Sequence, residues 1–136
     1  MLEVKNLGFS YNNVKTINNI SFQVKRQEFT CLLGANGSGK TTILKCLNGV
    51  LKKDEGIIKI DGKDLDKLNQ RQIAQYIGMV PQEHNVVFSY RVLDVVTMGV
   101  TPYLGFGKMP NNDDFKRAKE IIDKMDISHL IDRQYN

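Results

Sequence analysis

The chain has 136 residues, of which 41% are hydrophobic and 25% charged, with a formal net charge of +4; this is the make-up of one globular domain able to bury a core of its own. No apolar stretch approaches the ~18 residues of a membrane span, and the opening Met-Leu-Glu-Val-Lys lacks the apolar core of a signal peptide, so a cytosolic product is expected. Two cysteines do not make a disulfide scaffold, the isolated His84 and His129 lack metal-ligand spacing, and scattered lysines without interleaved aromatics argue against a nucleic-acid partner.

Short strands open the chain. Residues 2–7 alternate with period two, and residues 17–24 do so less cleanly through Ile20, Phe22 and Val24. Ser10-Tyr11-Asn12-Asn13 reads as the turn between them. Phe29-Thr30-Cys31-Leu32-Leu33 predicts a further strand, in which Cys31 packs as a small hydrophobe.

Directly after it, Gly34-Ala35-Asn36-Gly37-Ser38-Gly39-Lys40-Thr41-Thr42 contains G-x-x-x-x-G-K-[ST], the phosphate-cradling P-loop. Glycines let the chain curl so that successive backbone N–H groups converge on phosphate oxygens. Lys40 brings a mobile point charge to the β- and γ-phosphates, and Thr41 offers a hydroxyl to Mg²⁺. The helix that starts here adds the positive end of its dipole. The pattern arises by accident in roughly one chain of this length in two hundred. Strand, glycine loop and helix in that order imply a nucleoside triphosphate site, with Gly34, Asn36, Gly37, Ser38, Gly39, Lys40, Thr41 and Thr42 as its candidate residues.

Beyond the loop, Ile43, Leu44, Leu47 and Val50 recur at helical spacing, Cys46 shares that helix, and Gly49 closes it. A polar turn at 52–56 leads to the strand Ile57-Ile58-Lys59-Ile60, which ends at the turn Asp61-Gly62. Residues 64–76 read as one helix with Leu65, Leu68, Ile73 and Tyr76 as its apolar set. Ile77-Gly78-Met79-Val80 then reads as a brief strand stopped by Pro81. Residues 92–98 predict a helix despite their β-branched content, and residues 101–112, with Pro102, Gly105, Gly107 and Pro110, a loop. Asp113 or Asp114 can cap a last helix that puts Ala118, Ile121, Ile122 and Met125 on one face.

Together the motif and its neighbours resemble the nucleotide-binding subunit of an ABC transporter. Residues 2–7 and Phe9-Ser10-Tyr11 resemble the family's opening strand and adenine-stacking aromatic loop. Ile20-Ser21-Phe22-Gln23-Val24 and residues 56–62 resemble its flanking strands, and Gly78-Met79-Val80-Pro81-Gln82 resembles its Q-loop. Residues 92–99 and 101–105 are similar to subunits that drive import of iron–siderophore complexes, haem or cobalamin, although those usually carry an arginine where this chain has Val100. The resemblance implies an α/β P-loop NTPase fold: a mostly parallel core sheet, an N-terminal antiparallel β-subdomain, and the start of a helical subdomain. On this reading residues 1–82 hold the β-subdomain and P-loop core, and residues 83–136 begin the helical part, the whole being a partial domain.

The same resemblance implies the roles. Tyr11 stacks on adenine, the P-loop residues hold ATP, and Thr41 with Gln82 reaches Mg²⁺, Gln82 also facing the attacking water. Partners are transmembrane permease subunits of an importer and a second copy of the ATPase subunit, which places the protein peripherally at the inner face of the membrane. Hydrolysis in the family also uses a Ser-Gly-Gly-Gln signature and an Asp-Glu pair ending an apolar strand. No S-G-G-Q occurs here, and neither Ile60-Asp61 nor Ile131-Asp132 is followed by Glu. A nucleotide-binding fragment without turnover is therefore the alternative. A GTPase is disfavoured because N-K-x-D is absent, and a small-molecule kinase because nothing resembles an acceptor site or lid.

Overall fold

A computed structural model describes residues 1–82, 89–105 and 107–135. It divides into two compact units, Met1–Met79 and Val80–Asn136. Expectations for His84 fall outside the described residues.

The first unit is built on a four-stranded antiparallel sheet with strand order β2-β1-β3-β4, from β1 (Leu2–Tyr11), β2 (Val14–Val24), β3 (Glu55–Ile60) and β4 (Lys63–Asp64). The β1–β2 hairpin turns through Asn12 and Asn13, both left-handed (φ 47° and 65°), as the tight turn that matches strand twist demands. The turn is thus shorter than the sequence implied: Ser10 and Tyr11 belong to β1.

Simple alternation fails in β1 for a definite reason. Asn6 is left-handed (φ 50°) and adds a residue to the strand, so three steps from Val4 to Leu7 face two from Phe22 to Ile20. Its amide N donates to Ser21 Oγ at 2.8 Å, and its carboxamide to Asn19 Oδ1 at 2.7 Å. The bulge resets the phase, so Val4, Leu7 and Phe9 are all buried. On the other side it presses the Lys5 and Asn6 carbonyls towards Gly56 of β3. A Cβ there would lie 2.4 Å from both oxygens, and its φ is 87°.

Against this sheet packs α1 (Lys40–Leu47), burying Thr42, Ile43, Cys46 and Leu47. Leu44 and Val50, expected inward, are exposed. The core continues through Leu65 and Ile73. Residues 64–76 are not one helix: a 3₁₀ turn at Leu65–Lys67 ends at Leu68, whose backbone is extended (ψ 137°), and α2 (Gln70–Ala74) restarts behind Asn69. Asn69 and Gln72 form a reciprocal capping box, which makes the break a designed helix start.

Two expected strands do not form. Residues 29–33 and 77–80 make no ladder, and Phe29, Leu33 and Val80 are nearly fully exposed at 95%, 85% and 92%. A strand exists only through its neighbours' hydrogen bonds, and no parallel partner is present among the described residues. The ladders described are all antiparallel. Cys31, expected to pack, is likewise exposed, whereas Cys46 is buried and its thiol pKa is raised by desolvation.

In the second unit α3 (Val92–Met98) packs on α4 (Asn112–Lys124) through Leu93, Ala118 and Ile122. Arg91 grips Asp94 with two bonds, Nε and Nη2 at 3.0 and 3.1 Å, which lowers the carboxyl pKa. The loop before α4 contains a 3₁₀ turn at Thr101–Tyr103. The cap of α4 is Asn111 rather than Asp113 or Asp114. Its side chain accepts from both of their amides, and Asp114 returns the bond as the capping-box acid. Ile121 and Met125 lie outside the core, leaving the narrower stripe Ala118–Ile122.

Gly56 and Gly62 provide a paired test, since both are left-handed but only Gly56 is crowded. Gly56→Ala is expected to lose about 3 kcal/mol or more, adding overpacking to backbone strain. Gly62→Ala is expected to lose about 1 kcal/mol, from strain alone. Urea titration of both variants measures the difference; equal losses would refute the role given to the bulge.

Candidate phosphate-binding site

Chain geometry is most constrained where the glycine loop becomes α1. Gly39, the cap residue of α1, has φ 89°, and Gly37 has φ 80°, both in the region that L side chains avoid. Gly37 faces open space, whereas a Cβ on Gly39 would come within 2.6 Å of Ile17 Cδ1 and 3.4 Å of the Thr16 carbonyl oxygen. Strand β2 is thus seated directly against the foot of the loop. That strand belongs to the same hairpin as Tyr11, whose ring meets Phe9 edge-on at 4.7 Å and is 43% exposed.

Within the loop, Ser38 N donates to Ala35 O at 3.2 Å, and Ile43 N makes the first helical bond, to Gly39 O at 2.9 Å. The N–H groups before Ile43 have no partner inside the helix and lie at the positive end of its dipole. No acidic side chain stands in the first turn to neutralise them, and Gly39 offers no side-chain cap. Lys40 Nζ folds back onto the carbonyls of Gly34 and Ala35, 2.7 Å from each. Gly34 through Ser38 are exposed, Thr41 is exposed, and Thr42 is buried. A solvent-open rim of donors with one ammonium and no carboxylate is an arrangement that suits an anion.

The expected residues Gly34, Asn36, Gly37, Ser38, Gly39, Lys40, Thr41 and Thr42 are therefore gathered in one loop and helix start. Gln82 is exposed and belongs to the second unit. Thr16 and Ile17 were not legible as part of the site. Their contact with Gly39 spans more than twenty positions of sequence, and neither residue type carries a motif.

Residues 17–136 match the ABC transporter family. The chain belongs to that family. It is 39% identical over its whole length to a probable iron chelatin transport ATP-binding protein of Helicobacter pylori, of which it covers 54%. It is 36% identical over 128 residues to the galactose/methyl galactoside import ATP-binding protein MglA of Yersinia pestis, covering 25% of that protein. Among solved structures, an ABC transporter assigned to the metal-chelate type, in an inward-facing conformation, superposes with TM-score 0.78 at 30% identity, covering 98% of this chain and 47% of that one. CbiO1 of Clostridium perfringens, part of the cbiONQ complex, gives 0.77 at 32% identity, covering 98% and 53%. The chain spans about half the length of the iron chelatin relative. Its fold is that of an incomplete ATP-binding cassette built on an N-terminal antiparallel sheet. Among the described residues no helix is long and apolar enough to cross a membrane, and no group of three or more His, Cys, Asp or Glu could hold a metal ion.

The seat of the loop on β2 is open to a double-mutant cycle. Gly39→Ala is expected to destabilise the unit by about 2 kcal/mol. In an Ile17→Val background, which removes the clashing Cδ1, the same change should cost about 0.5–1 kcal/mol less. Strict additivity in denaturation midpoints would place the loop away from Ile17.

Proposed function

We propose that this chain is the nucleotide-binding face of an ATP-driven transporter subunit. The observation that carries it is the loop from Gly34 to Thr42: left-handed Gly37 and Gly39, an uncapped and acid-free helix start, and Lys40 folded over the loop. Lys40 would exchange its two backbone carbonyls for phosphate oxygens. The N–H groups of the first turn would take further phosphate oxygens, and Thr42, buried beneath the loop, would hold the turn in shape.

Mg²⁺ fits the same site on chemical grounds. The exposed hydroxyl of Thr41 is a hard oxygen donor in the first turn of α1, and a hydrated Mg²⁺ needs few protein ligands when phosphates supply the rest. Gln82, which the family resemblance assigns to the ion, is exposed in the second unit. When bound, the ion offsets phosphate charge. Tyr11, half-exposed and backed edge-on by Phe9, would offer its ring face to the adenine.

The wider assignment rests on the relatives. Names given to an iron chelatin transport protein and to a metal-chelate type transporter support import of iron–siderophore or similar metal chelates, while the similarity to MglA keeps sugar importers as the competing class. In such an assembly the partners would be transmembrane permease subunits and a second copy of the ATPase subunit, with the protein peripheral at the inner face of the membrane. Residues 83–136 would begin the helical subdomain that meets the permease. For these residues taken alone, nucleotide binding is the activity their side chains support.

Calorimetric titration with Mg-ATP tests the core of this. Lys40→Ala should weaken binding at least ten-fold, about 1.4 kcal/mol; equal affinity in variant and parent would overturn the assignment.

Base recognition is tested separately. Tyr11→Ala should weaken ATP binding while Tyr11→Phe should not, and ATP should be only modestly preferred over GTP, because stacking uses the π-face. If the phenylalanine variant loses as much as the alanine variant, the hydroxyl and not the ring is what matters.

A further inference from the structure

The sequence holds two Asn-Gly pairs, Asn36-Gly37 and Asn48-Gly49, and the fold treats them in opposite ways. We propose that Asn36 is a site of spontaneous deamidation within the phosphate loop, and that its conversion to a carboxylate switches the loop from attracting phosphate to repelling it.

The chemistry needs a backbone N–H free to ionise, a carboxamide free to rotate onto it, and space for ring closure. The nitrogen of Gly37, after losing its proton to hydroxide, attacks Cγ of Asn36. A new N–Cγ bond closes a cyclic imide, the Cγ–Nδ2 bond breaks, and ammonia leaves with a proton taken from water. Water then opens the imide at either carbonyl, leaving aspartate or its β-linked isomer at position 36. No oxidant or further reactant is consumed.

Asn36 meets each requirement. Asn36 and Gly37 are exposed, and no hydrogen bond among the described residues holds the Asn36 carboxamide or the Gly37 N–H. A Cβ built on Gly37 would meet nothing within 4 Å, so the space for ring closure is open. Lys40 Nζ lies 2.7 Å from the carbonyl of Ala35, the residue before Asn36. Its charge and the positive end of the α1 dipole both favour the amide anion on which the reaction depends.

Asn48-Gly49 has the same chemical sequence but is locked. Gly49 N donates to Cys46 O at 3.2 Å, which occupies the nucleophile. The Asn48 carboxamide is held at both ends: Nδ2 donates to Met79 Sδ at 2.8 Å, and Oδ1 accepts from Val50 N at 3.2 Å. A Cβ on Gly49 would lie 2.7 Å from Ile73 Cδ1, so this pair is also walled in. The second pair is thus an internal control with equal intrinsic reactivity.

The selectivity follows from loop geometry alone, while the consequence for phosphate rests on the nucleotide reading above. The experiment separates them. The purified chain is incubated at mildly alkaline pH, with and without Mg-ATP and in urea, and the peptides carrying positions 36 and 48 are followed by mass spectrometry for amide-to-acid conversion. Folded, Asn36 should convert roughly ten-fold faster than Asn48 or more, a barrier difference of about 1.4 kcal/mol or above. In urea the two should converge, because the locks on Asn48 are gone. Comparable folded rates, or faster conversion at Asn48, would overturn the proposal. Mg-ATP should slow conversion at Asn36 and leave Asn48 unchanged, and aged protein should bind ATP in proportion to its remaining amide. Selective conversion that ATP neither slows nor suffers from would keep the modification site and overturn the proposed switch.

Discussion

The close approach of Gly39 to β2 is the constraint around which the first unit is arranged. A residue without a side chain, in a backbone conformation other residues avoid, lets the loop rest on Thr16 and Ile17 with no layer between. That contact ties two features of different origin. The loop and α1 are local in sequence, whereas the hairpin acquires its position through β1, whose other edge pairs with β3. Disturbing the sheet therefore disturbs the entrance to α1. The buried row Val4, Leu7, Ile17, Ile43 and Cys46 is the apolar expression of the same coupling.

Much of this was legible in the residues. The glycine loop was legible because its motif is concentrated in nine consecutive positions. Strands β1, β2 and β3 and helices α1, α3 and α4 were each expected, but β1 and β2 run longer than periodicity implied, and Leu44, Val50, Ile121 and Met125 lie off the buried faces assigned to them. The misses had two physical causes: some depended on a partner distant in sequence, others on which of several nearby polar side chains took a cap. Asn6 broke the alternation of β1, and nothing in Leu-Glu-Val-Lys-Asn-Leu marks that its asparagine will adopt the left-handed conformation. The helix expected at 64–76 was divided by a capping box that reads, in sequence, as two ordinary polar residues, Asn69 and Gln72. Asn111 outcompeted two aspartates for the cap because Asp114 was needed three positions later to return the bond.

Residues 29–33 show the limit most clearly. Their composition is that of a buried strand, and their conformation here is not, because β-structure is a property of pairs. Beside them an apolar groove of about 390 Å³, lined in part by Leu2, Phe22, Leu32 and Leu47, runs between the sheet and α1. Propensity and setting disagree here as they do at residues 77–80, and such disagreement is itself informative about what a sequence was shaped to contact.

The posture of Lys40 has an energetic meaning. Its ammonium is already solvated by two carbonyls of its own loop, so an anion bound as proposed would not meet a bare charge but would displace a pair of internal ligands. Measured affinity would then be the difference between two sets of hydrogen bonds and much smaller than either. Until such an exchange, the two bonds tie Lys40 to the Gly34 and Ala35 carbonyls. On the proposed reading the lysine would serve as a temporary strut whose place the anion later takes.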